Sequence, residues 1–518
     1  MSTPQEFVER ALEASASRGC VVLVRSQSIA NVRWARNTLT TNGETLATAV
    51  SVVALVDVPG GVAAGSVTLN NPGPEGIVDL VRRAERVAVE EGPADDAGDL
   101  AAGIEASPDW GDEPTVATSA DLSVLAPQIG ALFESGRADG IEHFGYAEQS
   151  VTTYYLGTSS GVRLRFADPE GRLELTAKSH ARSRSTWAGR AARSLAGMDL
   201  DAVDREVRQG LAWQANRVDV APGRHTAVLT PSAVADLMIE LYWSSVARDA
   251  ADGQSVWSQA GGGTRRGETV ADPRVHLHSD PLMAGLEAVP FVVATGSSGS
   301  SSVFDNALPV GAVSWIRDGL LENLITTRHT AVETGLPFRP GVENLRLDLA
   351  GGTGSLEDVV ARTQDGLLVT CLWYNRVVDP QTLLLTGLTR DGVYAVRGGE
   401  VVGAVTNFRF NDSPVGVLNR VDDAGSPVAT LAREMGDYFN RAAMPPMVVR
   451  DFNFSTVSHA QQVGRANGLG REIGHERRVD AARQPQHQPP KPRLVQLRPD
   501  EADDDAPGAV GIDGQLRR

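Results

Sequence analysis

Apolar and polar positions fall into blocks of two periods along this chain. Residues 5–17 repeat at helical spacing, after which "CVVLVRSQ" and "NVRWARNTLTTNGETLATAVSVVALVDVPGGVAAGSVTL" read as a meander of strands, with turns at Asn42-Gly43 and at Pro59-Gly60-Gly61. "GPEGIVDLVRRAERVAVEE" returns to helical spacing through Ile77, Leu80, Val81, Ala84 and Val87. The acidic stretch from Gly92 to Thr118, rich in Ala, Gly and Pro, predicts a surface loop or flexible excursion. A helix in "DLSVLAPQIGALFESGRAD", strands from Ile141 onward and a helix in "DLDAVDREVRQGLAWQANR" complete the first half.

The second half opens on "LTPSAVADLMIELYWSS", a helix with Thr230 placed to cap it and Pro231 at its first position, where no amide hydrogen is needed. Short strands then dominate, as in "GAVSWIRDGLLENLITTRHTA", "GLLVTCLWYNRV" and "DGVYAVRGGEVVGAVTNFRF". Beyond Gln462 the pattern ends, with "RQPQHQPPKPR" and "DEADDD" too poor in apolar residues to form a core. The expected architecture is α+β: an N-terminal domain of helices and antiparallel strands over 1–215, a β-rich antiparallel domain over 220–460, and a disordered tail over 463–518.

Composition narrows the function classes. A net charge of -17 opposes a nucleic-acid surface built on a basic face, and no apolar run is long enough to span a membrane. Cys20 and Cys371 stand far apart and make no disulfide framework, and the N-terminus lacks the basic start and apolar centre of a signal peptide, so a reducing cytoplasm is the expected compartment.

Candidate chemistry is sparse. His276 and His278 in "RVHLHSDP" would share one side of a strand and could chelate zinc, but no further ligand follows at useful spacing, and two exposed loop histidines is the plainer reading. Gly261-Gly262-Gly263 before Arg265 and Arg266 lacks the lysine and preceding strand of a phosphate loop, although the arginines could meet an acidic group of a peptide. Cys371 in "LLVTCLWY" reads as a buried thiol, and "GSSGSSS" at 296–302 lacks the nucleophile-elbow pattern. Glu240, among apolar and aromatic neighbours in the helix after Thr230, faces either solvent at the helix edge or an internal polar site.

The order of the whole chain resembles the TldD/TldE family, whose TldE branch is also called PmbA. In the first half the resemblance rests on "VRWARNTLTTNGETLATAVSVVALVDVPGGVAAGSV" and "GIVDLVRRAERVA". In the second half it rests on "DPLMAGLEAVPF", "GAVSWIRDGLLENLITTRHTA", "VENLRLDLAGGTGSLEDVV" and the segment from Asp365 through "GGEVVGAV". The family implies a cytosolic metallopeptidase assembly that cleaves unfolded or small peptides. In it, TldD holds zinc through HExxxH and a late cysteine, and TldE lacks the metal.

An ungapped reading sets Ile239-Glu240-Leu241-Tyr242-Trp243-Ser244 on that window. Glu240 keeps the general-base position, while Ile239 and Ser244 replace the histidine ligands, and "AAMPPMVVRDFNFSTVS" contains no cysteine. The resemblance therefore implies a zinc-free, TldE-like subunit with no catalytic or metal-binding residues of its own. Its zinc would reside in a TldD-like heterodimeric partner, with Arg265, Arg266 and His329 as candidate peptide or interface contacts. A stand-alone homodimeric peptide-binding or scaffold protein is the alternative, and relocated metal chemistry at His276 and His278 a third.

Overall fold

The structure is a computed structural model, and it describes residues 2–458. The expected tail at 463–518 lies outside the described residues. In the first half β1 (Gly19–Ala35), β2 (Thr38–Val58), β3 (Gly61–Asn70), β4 (Glu142–Thr158), β5 (Arg163–Ser179) and β6 (Arg184–Ala192) form one sheet in the order β3-β2-β1-β4-β5-β6. Every neighbouring pair in it is antiparallel.

Helices α1 (Pro4–Ala14), α2 (Gly76–Glu91), α3 (Ala126–Asp139) and α4 (Leu200–Trp213) cover this sheet. The run "CVVLV" is apolar at every position because both of its faces are buried: Cys20, Val22 and Val24 pack with α1 and α2, while Val21 and Leu23 pack with Phe291, Val303 and Phe304. Strand periodicity alone predicts one such face, not two.

The expected turn at Asn42-Gly43 is wrong. Both residues lie within β2, opposite Val32 and Asn31, and the chain reverses at Arg36-Asn37, whose φ angles of 52° and 57° give the left-handed pair of a two-residue hairpin. An asparagine-glycine pair is permissive for that turn, but the register that buries Val32 and Trp34 overrides it. The turn at Pro59-Gly60-Gly61 joins β2 to β3 as expected. The stretch from Gly92 to Thr118 forms no strand or long helix but is packed: Leu100, Ala101 and Ile104 join an apolar cluster, and Trp110 meets Tyr155 edge-on at 5.7 Å.

Glycine is required where α2 crosses β3. A Cβ on Gly65 would come within 2.2 Å of the Ala84 carbonyl oxygen and the Ala88 nitrogen, whereas one on Gly43 meets nothing within 4 Å. Gly65→Ala is therefore expected to lower stability by about 2–3 kcal/mol, as overpacking does, and Gly43→Ala to leave the urea unfolding midpoint nearly unchanged.

The second half contains two further sheets. One comprises β8 (Val275–Ser279), β9 (Val313–Arg317), β10 (Leu320–Leu321), β11 (Leu345–Leu349), β17 (Val428–Thr430) and β18 (Ala442–Met444). The other runs β12-β7-β19-β15-β13-β14, from β7 (Gly223–Leu229), β12 (Asp365–Asp379), β13 (Leu384–Arg397), β14 (Glu400–Ala404), β15 (Phe408–Asp412) and β19 (Met447–Val457), with β16 (Val421–Ala424) beside β19.

Because β12 also pairs with β13, this path closes into a ring that leaves its central strands no free edge. Pairing is antiparallel except for β7 with β12 and β11 with β18. Helix α5 (Pro231–Trp243) follows β7, and α6 (Ala247–Ala251), α7 (Arg328–Thr334), α8 (Leu356–Arg362) and α9 (Pro414–Asn419) are short. The "TRHTA" segment, expected as strand, is α7, because Thr327 accepts from the Thr330 amide and starts a helix. Among the described residues no helix is long and apolar enough to cross a membrane.

Candidate functional site

Helix α5 begins as its sequence predicts. Thr230 Oγ1 accepts from the Ala233 amide and donates to the Thr370 carbonyl at 2.5 Å, tying the helix start to β12. The seven residues Ala233–Ile239 are all buried. Glu240 is half-buried, which places it at the helix edge.

The residues at the ligand positions do not fit zinc. Ile239 is fully buried in the main apolar cluster, and Ser244 is the C-cap of α5, its Oγ donating to the Leu241 carbonyl at 2.7 Å. The region of the expected third ligand is β18 and β19, where Met444 and Met447 are buried in the same cluster. Among the described residues, no three His, Cys, Asp or Glu side chains converge in a way that could hold a metal ion.

Centring α5 on Glu240 misses its buried carboxylate. Asp236, one turn earlier, is 0% exposed. Its Oδ1 accepts from the Glu434 and Met435 amides at 3.1 and 3.0 Å, and its Oδ2 from the Arg433 amide at 3.2 Å. Burial pushes its pKa up to about 8, against the pull of these three donors toward the ionised form. The signal was present in "VADLMIEL": an aspartate inside an apolar run is costly to bury and so needs dedicated donors.

Through these bonds α5 fixes a loop that reaches the first sheet. The Arg433 guanidinium lies 4.7 Å from the centre of the Trp187 ring and 4.8 Å from that of Trp373, and pairs with Glu174 at 3.3 Å. Trp187 Nε1 donates to the same glutamate at 3.0 Å. Glu434 accepts from the Asn375 amide at 2.6 Å and from Arg376 at 2.8 Å, and Asp437 pairs with Arg172 of β5. Helix α5 thus anchors a latch between the two halves of the fold.

The remaining candidates occupy separate local settings. His276 and His278 lie on β8, not in an exposed loop, with rings stacked at 4.3 Å. His276 Nε2 meets Ser314 Oγ at 2.9 Å and His278 Nε2 meets Asp348 Oδ2 at 2.8 Å. Burial lowers the His276 pKa, while bonds from His278 and Arg346 outweigh burial and hold the Asp348 carboxyl below the usual range.

Gly261, Gly262 and Gly263 all have positive φ, the geometry of a tight turn. Beyond it Arg265 pairs with Glu268 at 2.8 Å and Arg266 donates to the Glu322 carbonyl at 2.8 Å. His329 on α7 pairs with Glu333 at 3.1 Å. Cys371 is buried, its thiol pushed up by burial and donating to the Arg390 carbonyl at 3.1 Å. The serines at 296–302 form a loop in which Ser302 donates to Asp96 at 2.6 Å.

Residues 222–456 match the model of the PmbA/TldA metallopeptidase C-terminal domain. No curated protein sequence matches the chain. Among solved structures, TldE from Thermococcus kodakarensis is similar with a TM-score of 0.70 at 14% identity, over 87% of this chain and 99% of that one. A proposed modulator of a DNA gyrase from Thermotoga maritima gives 0.69 at 16% identity, over 87% and 100%. Another from Bacteroides thetaiotaomicron gives 0.67 at 14%, over 88% and 98%. These likenesses extend the shared fold across both halves, and the domain match identifies the second half as similar to the PmbA/TldA metallopeptidase C-terminal domain.

Proposed function

We propose that this chain is the non-catalytic, TldE-like subunit of a TldD/TldE-type zinc metalloprotease acting on unfolded peptides in the cytosol, with the zinc held by a TldD-like partner. The observation that carries the reading is the state of the HExxxH window: Ile239 is sealed in the core and Ser244 ends the helix. Glu240 keeps the general-base position, but a carboxylate without a neighbouring metal has no bound water to activate.

Arg265, Arg266 and His329 are the proposed peptide or interface contacts. Arg266 is the best placed of them, since it is exposed and, among the described residues, has no carboxylate within ion-pair distance. Buried, unpaired Cys20 and Cys371 suit a reducing compartment. Co-expression with an HExxxH-bearing family member of the same host tests the pairing. The expected result is a stable heteromeric complex on size exclusion, whereas self-association alone would favour the homodimeric scaffold.

A further inference from the structure

A cavity of about 410 Å³ lies where the β5–β6 hairpin, the end of α4 and strand β13 come together. Lys178, Arg182, Arg217, Arg390 and Arg433 line it, and Asp391 is the one carboxylate among its lining residues, in a chain of net charge -17. Three of the cations have partners: Arg182 with Glu142 at 2.7 Å, Arg433 with Glu174 at 3.3 Å, and Arg390 with Asp391 at 3.6 Å.

Lys178 and Arg217 have none within ion-pair distance among the described residues. Glu142 stands opposite Lys178 in the β4–β5 register, but it is bonded to Arg182 instead. Other donors in the lining are also free. The hydroxyls of Thr176 and Thr406 make no hydrogen bond among the described residues, and the buried Nε of Arg433 has no partner. Unused donors therefore reach the cavity from β5, from the segment after α4 and from the loop between β14 and β15.

The C-terminal end of α4 at the cavity would oppose an anion if its carbonyls were bare, but they are taken. The Gly210 carbonyl accepts from the Tyr394 hydroxyl at 3.2 Å, that of Ala212 from the Ala215 amide at 3.0 Å, and that of Asn216 from the Ala404 amide at 2.8 Å.

We propose that this cavity binds the phosphate group of a small molecule, with Lys178 and Arg217 as its charged contacts and Thr176 and Thr406 as hydroxyl donors. The inference does not depend on pairing with a zinc subunit. Two features favour a phosphate over a carboxylate. The two unpaired cations match the roughly 1.5 to 2 negative charges of a phosphate monoester at neutral pH. Its terminal oxygens also accept from several directions at once, as donors from three parts of the fold require, whereas the two oxygens of a carboxylate lie in one plane. The volume is within the roughly 300–1,000 Å³ of small-molecule sites, and Val393, Ala404 and Val405 give an organic remainder an apolar wall.

Calorimetric titration of the full-length chain at low salt with inorganic phosphate, glycerol 3-phosphate and malonate tests this. Saturable one-to-one binding of the first two is expected, with malonate, a dicarboxylate of similar charge, about tenfold weaker or more. Lys178→Met, which keeps the stem beside the Phe144 ring, and Arg217→Gln should each weaken phosphate binding about tenfold, and added salt should weaken it further. Lys178→Arg should retain most of the affinity, and Arg205→Gln, on α4 outside the cavity lining, should leave it unchanged. Tighter binding of the ester than of phosphate assigns the site to a phosphorylated small molecule, and equal or weaker binding assigns it to the free ion. Absence of saturable binding, malonate binding as tight as phosphate, affinity unchanged in Lys178→Met and Arg217→Gln, or an equal loss in Arg205→Gln would overturn the proposal.

Discussion

Asp236→Ala is expected to destabilise the protein by about 3–5 kcal/mol, since it leaves buried amide donors without acceptors at roughly 1–3 kcal/mol each and opens a small void. The three donors are the Arg433, Glu434 and Met435 amides, so the loss falls on the loop that carries Arg433 between Trp187 and Trp373. Asp236→Asn is the milder change: its single amide oxygen retains two donors, while its NH2 group faces the third. The natural protein and this variant should also differ in pH dependence.

The Asp236 pKa lies above its ordinary 3.8, at about 8, in the folded chain. Between those values the folded protein holds a proton that the unfolded chain releases. This contribution to stability is complete below the unfolded pKa and is lost as pH rises through about 8. The difference in stability between the natural protein and Asp236→Asn should therefore shrink between about pH 5 and about pH 9. Urea unfolding at the two pH values measures both effects, and a gap that widens with pH would refute the assignment.

The second large effect concerns the window proposed to correspond to HExxxH. Introducing the proposed ligand pair with Ile239→His and Ser244→His is expected to cost about 3–5 kcal/mol and to yield no stoichiometric zinc, because an imidazole at 239 enters an apolar core without a partner. Ile239 is fully buried in that core and Ser244 lies at the helix C-cap. Ser244→His alone should cost about 1 kcal/mol or less, as a substitution at a half-buried helix end. Thermal unfolding with metal analysis distinguishes these, and one tightly bound zinc per chain at undiminished stability would show that the window is merely depleted rather than rebuilt.

Much of the fold was legible because its signals are local. The cap at Thr230, the proline at 231 and the 3.6-residue pattern of Ile77, Leu80, Val81 and Ala84 each act within a turn or two, and each appears where expected. What failed depended on distant partners. Asn42-Gly43 would turn in isolation, but the long β1–β2 register carries it straight through, and "TRHTA" becomes helical through its Thr327 cap within an otherwise β-rich stretch.

The site divides the same way. That positions 239 and 244 carry isoleucine and serine rather than histidine could be read from the sequence itself. The role of Asp236 could not be, because its donors lie about two hundred residues away in sequence, at 433–435. Likewise His276 and His278 share a strand face as their spacing predicts, but their partners Ser314 and Asp348 come from strands β9 and β11.

The account's central claim, that this chain serves a metalloprotease without performing its chemistry, is tested most directly by peptide hydrolysis with zinc supplied. The chain alone, its HExxxH-bearing relative alone and the co-expressed pair should be assayed on one unfolded substrate, with zinc counted per subunit. The account predicts no turnover and no zinc for this chain alone, and chelator-sensitive turnover by the pair with zinc in the relative. Robust, chelator-sensitive hydrolysis by the purified chain alone would contradict it.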